Sequence, residues 1–473
     1  MTPRFFLRRW LRPGKWAFVA LVALLASRPI QAETLTLAQC LREVAEHNPD
    51  VVQQRVAIEQ AEASRLTLRS RSLPTLTFGG ILGELNQSRS NDKGQLSTDD
   101  SFIVLGTGNL YQSIFDAAIP ASYRRGTAEV IAAEQNFYAV ASTQLHAARL
   151  LYYRALYQQQ SGEVLRELDK SLEDAVKAQN QLVTAGLVGR SALLSAQVQR
   201  TNFAPGILDA GGSYRTNLAS LLQLMGRELP YNKNGDDPLG RITLSGQLDV
   251  TARGFDAAEA ARVALDRRPD LRALRALVRT AQEDANIARA GYYPVVRLYL
   301  AGEALPQSNV RNRPNAIRQS DQVQTTELRP GVSASWVVVD TGTVRGAVRA
   351  QEASRDVLGI SLGRLESNLP AELAAVRARL MDAAARLDSL RGNEELGRST
   401  LNILQGGVAQ GINSQTELLF AQNDLLSTRS SELLARLELS LAHAEFDRLT
   451  GNYLRYVEEN PVPTTTARRT SRK

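Results

Sequence analysis

The chain carries one pattern twice, as His47-Asn48-Pro49-Asp50 and as Arg267-Arg268-Pro269-Asp270. The first copy opens a helical run that stops at Leu73-Pro74, and the second opens a run that stops at Tyr293-Pro294. The interval from Pro49 to Pro74 equals the interval from Pro269 to Pro294. Proline fits the first turn of a helix and cannot continue one, so the same helix is predicted twice.

Two further landmarks repeat in the same order. Val183-Thr-Ala-Gly186-Leu187 corresponds to Val408-Ala-Gln-Gly411-Ile412, and a Leu-x-Gly landmark at Gly226 corresponds to one at Gly451. The interval from Gly186 to Gly226 equals the interval from Gly411 to Gly451. Matched spacings predict a duplicated structural unit, with the first repeat over 33–250 and the second over 251–455.

The amino terminus predicts export. A basic leader, Arg4 to Lys15, precedes the apolar run Trp16–Ala26, and the small residue Ala32 offers a cleavage point. The apolar run is too short to cross a bilayer, which takes about 20 residues of helix. We therefore expect residues 1–32 to be a signal peptide.

Charge excludes one class of function. Without the leader the chain keeps 50 basic and 49 acidic residues, a net charge of +1. No basic body remains to bind nucleic acid. The residual basic cluster lies in the tail 456–473, which we expect to be disordered.

Alternating apolar residues predict a pair of strands in each repeat, over about 74–115 and 294–339. The polar segments Asn86–Asp100 and Gln307–Glu327 are expected to be the loops between them. Four strands of about ten residues have the length of tilted membrane-spanning strands. The mean hydropathy of −0.23 suits strands that face lipid with one residue in two.

A long helical pattern follows each strand pair, within helical hairpins over about 117–226 and 341–451. About 60 residues of helix extend roughly 90 Å, and such helices are stable only when packed lengthwise against others. The interval from Asp116 to Gly186 nearly equals that from Asp340 to Gly411, so the two helices should match. Pro205 interrupts one return helix, but its unchanged length predicts a kinked continuing helix.

Residues 34–455, with these duplicated landmarks, resemble the TolC family of outer-membrane efflux proteins. The resemblance implies a mainly α fold with a membrane β-barrel. Three chains would form a 12-stranded outer-membrane barrel on a periplasmic α-helical barrel. It also implies the outer membrane of a Gram-negative bacterium, contact with its lipid, a periplasmic adaptor (membrane fusion) protein, and an inner-membrane pump or ABC exporter.

The strands alone support an oligomer. Four strands cannot close a barrel, and open edges cannot face lipid because their N–H and C=O groups would lack partners. The smallest bacterial barrels have about eight strands, so at least two chains must share one. The resemblance selects three.

The two turns between helices are the predicted functional sites. Glycine there fits a plain helix terminus, but the resemblance implies that the turns form the periplasmic tip. Adaptor docking would then involve Gly186, Leu187, Gly411 and Ile412. The closed aperture would be formed by Glu417, Asn413, Phe420 and Ser191.

The aperture departs from the family pattern of acidic rings. Glu417 occupies one acidic position, whereas Phe420 stands where a second acid is common, and the first turn has Ser191 and no acid. Two gates therefore remain open as hypotheses: a carboxylate ring at Glu417 or an apolar plug at Phe420.

The chain shows no catalytic constellation. Asp340-Thr341-Gly342 matches the local pattern of an aspartic protease, but Asp116 holds the same place in the first repeat, which favours a strand exit. The three histidines, His47, His146 and His443, have no metal-ligand spacing. We expect no enzymatic activity, cofactor or metal.

The leading interpretation is a passive exit duct for small-molecule efflux or type I protein secretion. The chain has no Gly-x-x-x-x-Gly-Lys-Ser/Thr motif, so its energy must come from a partner. The alternative is a periplasmic coiled-coil scaffold or adaptor without a pore. The alternating strands favour the duct.

Overall fold

A computed structural model describes residues 33–90, 94, 96–229, 239–310, 320–453 and 457. The predicted signal peptide and nearly all of the predicted tail lie outside the described residues, as do the tips of the two polar segments. Within the described ranges, no helix is both long enough and apolar enough to cross a bilayer.

The fold is one unit used twice, as predicted. The first set of elements consists of β1 Glu33–Thr36, α1 Leu37–His47, α2 Pro49–Ser70, β2 Thr75–Ser90, β3 Leu96–Phe115, α3 Ala118–Thr184 and α4 Arg190–Leu224. A 3₁₀ turn leads into the second set, which consists of β4 Ile242–Ser245, α5 Ala257–Arg267, α6 Pro269–Arg289, β5 Val295–Val310, β6 Ser320–Ser335, α7 Thr343–Ala409 and α8 Gln415–Leu449. The long helices α3 and α7 both have 67 residues, and the return helices α4 and α8 both have 35. The predicted match in length is confirmed, and α4 continues through Pro205.

The repeated Pro-Asp openings start their helices by different chemistry. Before α2, the Asn48 side chain accepts hydrogen bonds from the backbone N–H groups of Asp50 at 3.0 Å and Val51 at 3.2 Å. This satisfies donors that a helix start leaves without partners. Before α6, Arg268 supplies no side-chain cap. Its buried guanidinium instead pairs with Asp270 at 2.9 Å and Glu372 at 3.1 Å.

The main sheet is antiparallel throughout, in the order β2-β3-β5-β6. Its strands have 16, 20, 16 and 16 residues, so the predicted length of about ten was wrong. The polar segments predicted as loops are largely strand, since pairing extends to Ser90 with Leu96 and to Val310 with Ser320. Backbone hydrogen bonds between strands do not require apolar side chains. The alternation of apolar and polar residues therefore identifies only the part of each strand that has one apolar face.

The last strand ends earlier than predicted. β6 stops at Ser335, which pairs with Val295, and not near Val339. The residue before Val295 is Pro294, which has no N–H to extend the ladder. The four residues Trp336–Val339 are exposed by 58 to 80 %.

The sheet has two chemically different faces. On one face, paired positions carry mainly apolar or glycine residues: Leu76 with Leu110, Phe78 with Gly108, Leu82 with Val104, Leu298 with Val332 and Gly302 with Leu328. On the other face they are mainly polar or small: Thr77 with Asn109, Gly79 with Thr107, Arg297 with Ser333, Ala301 with Arg329 and Glu303 with Glu327. Ile81 with Leu105 and Gly83 with Ile103 are apolar exceptions on this second face. Because side chains alternate along a strand, the register gives one mainly apolar and one mainly polar surface, called the polar face below.

The chain divides into two compact units. Among the described residues, one unit comprises those within 33–44, 147–252 and 381–441, and the other comprises those within 45–146, 253–380 and 442–457. The first contains a feature that the sequence did not reveal, the parallel pairing of β1 with β4. Tyr152 is 1 % exposed, and its single O–H is shared between the carbonyl oxygens of Leu35 and Ser245, one in each strand. The second contains the four-stranded sheet and the fully buried helical leucines Leu145, Leu271, Leu369 and Leu373.

Candidate functional site

The first turn, between α3 and α4, is closed by a left-handed glycine. Gly186 has φ 71°. Its N–H donates to the carbonyl of Val183 at 3.0 Å, and the N–H of Leu187 donates to that of Leu182 at 3.0 Å. These are the two bonds of a Schellman motif, which satisfies the last carbonyl groups of a helix. The predicted glycine terminus is confirmed.

The second turn repeats this geometry. Gly411 has φ 73°. Its N–H donates to the carbonyl of Val408 at 3.1 Å, and the N–H of Ile412 donates to that of Gly407 at 2.8 Å. The duplication therefore extends to individual hydrogen bonds at the turns.

Each turn presents one apolar side chain to solvent. Leu187 is 72 % exposed and Ile412 is 74 % exposed, and both directly follow the left-handed glycine. In the Schellman motif this residue usually packs back on the helix. Both side chains are instead available to another molecule.

Glu417 forms a reciprocal cap at the start of α8. Its carboxylate accepts hydrogen bonds from the Ser414 N–H at 3.1 Å and from Asn413 Nδ2 at 3.2 Å, while its own N–H donates to Ser414 Oγ at 3.2 Å. This is the capping box of a Ser-x-x-Glu sequence. The Ser414 N–H, followed by the Asn413 amide, holds the pKa of the Glu417 carboxyl below its ordinary value.

The other two aperture candidates take no part in the hydrogen bonds of this cap. Phe420 is 59 % exposed, whereas its neighbour Leu419 is 6 % exposed and packs with Leu168 and Leu172 of α3. Ser191 is exposed in the first turn of α4. The structure thus joins Asn413 to Glu417 by a hydrogen bond, and Phe420 and Ser191 are exposed.

Sequence reasoning missed Ser414, although the signal was present. Ser414-Gln-Thr-Glu417 before the apolar pair Leu418-Leu419 is the pattern of a capping box. It also missed Glu445, whose carboxylate pairs with His146 at 3.1 Å and with Arg448 at 2.6 Å. The hydrogen bond from His146 is the main cause that lowers the pKa of Glu445 to about 2.

The protease-like motif is part of a helix start. Asp340 accepts hydrogen bonds from the N–H groups of Gly342 at 3.0 Å and Val344 at 2.7 Å. These two donors, with Val344 first, lower the pKa of the Asp340 carboxyl. In the first repeat, Asp116 accepts from the Ala118 N–H at 2.9 Å. Both carboxylates cap the long helices, which explains the duplicated aspartate without catalysis.

Comparison with known families identifies the class. The profile of the outer membrane efflux protein family matches residues 40–227 and 260–452, one segment in each repeat. The chain belongs to the outer membrane efflux protein family. It is an outer-membrane protein, and the resemblance found in the sequence is confirmed.

Individual relatives are distant but cover nearly the whole chain. The alkaline protease secretion protein AprF of Pseudomonas aeruginosa is 22 % identical over 444 residues, 92 % of this chain and 86 % of AprF. The outer membrane channel CmeC of Campylobacter jejuni superposes with a TM-score of 0.73 at 16 % identity, covering 91 % of this chain and 90 % of CmeC. VceC of Vibrio cholerae gives 0.69 at 16 % identity, with 88 % and 96 % covered. The fold is therefore that of the outer-membrane channels.

Proposed function

We propose that three copies of this chain form an exit duct across the outer membrane. The observation that carries this proposal is the four-stranded sheet, whose outer strands β2 and β6 each have one neighbour. In lipid, an open edge leaves its backbone N–H and C=O groups without partners. Pairing of β6 with β2 of the next copy removes every edge, and three copies give 12 strands.

The two faces of the sheet support the same arrangement. The face with Leu76, Phe78 and Leu298 suits lipid, and the face with Asn109, Arg297 and Arg329 suits water. A periplasmic scaffold without a pore has no use for such a sheet. Family membership also favours the duct over that alternative.

The duct works with partners that supply energy and cargo. A periplasmic adaptor docks on the tips, where Leu187 and Ile412 offer exposed apolar side chains beside the left-handed glycines. An inner-membrane pump or ABC exporter delivers the cargo. AprF is named for the secretion of an alkaline protease. Secretion of a protein and efflux of small molecules both suit a water-filled duct.

Membrane fractionation with mass measurement in detergent tests the assembly. We expect the mature chain in the outer-membrane fraction, with the mass of three copies. A monomeric product that stays in the soluble fraction after removal of the leader contradicts the proposal.

A further inference from the structure

A cavity of about 480 Å³ opens on the polar face of the main sheet, at the end where the strands join the helices. Its lining includes the guanidinium-bearing residues Arg71 and Arg297, the hydroxyl-bearing residues Tyr111 and Ser113, and the carboxylate of Asp116. All of these residues belong to one compact unit of the chain.

The strand register places Arg297 between two hydroxyl groups. It pairs with Ser113 of β3 on one side and with Ser333 of β6 on the other. Paired residues project to the same face of a sheet, so the three side chains form a row on the polar face. Tyr111, two residues before Ser113, lies on that face too.

The two arginines lack a compensating charge. Among the described residues, the guanidinium of Arg297 makes no hydrogen bond or ion pair. The Arg71 guanidinium donates to the hydroxyl of Ser122 at 3.3 Å, a neutral acceptor. By contrast, Arg329, on the same face of the sheet, pairs with Glu303 at 2.9 Å.

The only carboxylate in the lining has another role. Asp116 accepts the Ala118 N–H at 2.9 Å as the cap of α3. With two guanidinium groups and one carboxylate, the lining of the cavity has a net charge of +1. A guanidinium presents several fixed N–H donors that match the oxygens of phosphate, sulfate and carboxylate groups.

The duplicated architecture does not require these arginines. Arg71 lies three residues before Pro74, and the corresponding residue before Pro294 is Gly291. Arg297 lies three residues after Pro294, and the corresponding residue after Pro74 is Thr77. Each repeat supplies one arginine to the cavity, at a position where the other repeat has a small or neutral residue.

We propose that Arg71 and Arg297 form a binding site for oxyanion groups carried by water-soluble cargo. This rests on the proposed trimer, in which the polar face lines the pore and three such sites surround it. Charges of one sign in a water-filled passage raise the local concentration of the opposite ion. The site retains anionic cargo briefly at the entry to the barrel and gives the duct a preference for phosphorylated, sulfated or carboxylated compounds.

The test is titration calorimetry on the detergent-solubilised protein with inorganic tripolyphosphate as the probe. We expect wild type to bind one probe per chain, and binding to be at least about tenfold weaker in Arg297→Gln and in the Arg71→Gln/Arg297→Gln variant, since charge-assisted hydrogen bonds are the strong ones. Arg71→Lys keeps the charge and loses the fixed fork of donors, so its affinity should lie between those of wild type and the double variant. Arg329→Gln is the matched control, because it removes a guanidinium of the same face whose charge is already paired, and its affinity should stay within about twofold.

Four outcomes overturn the site: no binding to wild type, equal affinity in wild type and the double variant, the same loss in Arg329→Gln, or wild-type sites already filled by lipid phosphate and insensitive to the probe. Recordings of the same preparations in bilayers test the proposed function separately. If the protein conducts ions but does not bind the probe, only the proposed oxyanion site is contradicted. If the protein is a monomer that binds the probe and does not conduct, the proposed duct is contradicted.

Discussion

Glu417 and Ser414 cap the start of α8 reciprocally, each accepting a hydrogen bond from the backbone N–H of the other, at 3.1 and 3.2 Å. This cap is complete within one chain. The carboxylate therefore has a structural role that does not depend on a pore. Glutamine also serves at this position of a capping box, so the charge of Glu417 can be removed while the cap is kept.

We expect Glu417→Gln to lower cation selectivity in single-channel recordings and to weaken block by multivalent cations. Three copies around a threefold axis would concentrate negative charge in a narrow opening and attract cations. The effect should fade at high salt, because the Debye length falls to about 3 Å at 1 M. Since the pKa of Glu417 lies below its ordinary value, the selectivity of wild type should persist to mildly acid pH.

Ser414→Ala is the matched control, since it removes the hydroxyl half of the cap and keeps the charge. Unchanged selectivity in Glu417→Gln at low salt shows that the carboxylate only caps the helix. In that case Phe420→Ala should raise the resting conductance, because an apolar plug is the rival gate and Phe420 is exposed.

Bulky substitution of both tip glycines should abolish export and leave trimers intact. Gly186 and Gly411 have φ 71° and 73°, a region that costs other residues roughly 1–2 kcal/mol. A Cβ there meets no atom within 4 Å in the chain, so the damage should fall on docking more than on packing. Export assays with native-gel analysis of trimers measure both effects.

Gly226 is the control, because it has φ 71° at the end of α4 and is not at a tip. Gly226→Leu should carry the same backbone strain and retain export. Normal export in the double tip variant means that the adaptor docks elsewhere.

The parts of the fold that the sequence predicts are those with local, repeated signals. Pro49 and Gly186, and their counterparts Pro269 and Gly411 in the second repeat, start or end helices through their own backbone conformation. Their spacing along the sequence therefore predicts the helix lengths. The pairing of β1 with β4 was missed because two very short strands, far apart along the chain, leave no local pattern. Polar strand ends were missed because backbone pairing carries no signal in side-chain polarity.

The candidate site was predicted unevenly for a similar reason. The glycine turns follow from conformation alone, and their geometry is as expected. The role of Glu417 depends on which groups surround it. Resemblance to a family indicates which position corresponds to an acidic site, but it does not indicate the hydrogen bonds that the residue makes there. Its capping partner Ser414 was visible in the sequence, whereas the pair of Glu445 with His146 joins α8 to α3, which lie in different repeats.

Glu445→Gln should destabilise the protein at neutral pH and reduce its acid sensitivity. The pKa of Glu445 is lowered from 4.5 to about 2, chiefly by the hydrogen bond from His146. The ionised Glu445 carboxylate therefore contributes stability that is present above about pH 4.5 and lost as pH falls through 2. We expect a loss of about 1–2 kcal/mol at pH 7, a value reduced for solvent screening because 27 % of the side chain is exposed. Thermal unfolding from pH 7 to pH 2 measures it.

Glu438→Gln provides the comparison, since Glu438 lies on the same helix and pairs with Arg386 at 3.1 Å, with side chains 43 % and 57 % exposed. An exposed pair of this kind should change stability by less than about 1 kcal/mol. If both variants change stability and its pH dependence equally, Glu445 contributes no more to stability than an exposed glutamate does, and the prediction is contradicted.

Pro205→Ser should stabilise α4 and slow export. Proline inside a helix lacks the N–H that would bond to the Thr201 carbonyl, and it costs about 3 kcal/mol; because this site is exposed, water can satisfy that carbonyl, and we expect a gain of about 1–3 kcal/mol. Serine is the matched choice because Ser430 lies as far after its tip glycine as Pro205 lies after Gly186.

A proline that weakens only one of two equal return helices favours a role in bending, so the stiffer helix should open less readily. Pro370→Ala, in the interior of α7, should raise stability without changing export. A lower melting temperature in Pro205→Ser, or export at the wild-type rate, contradicts this role.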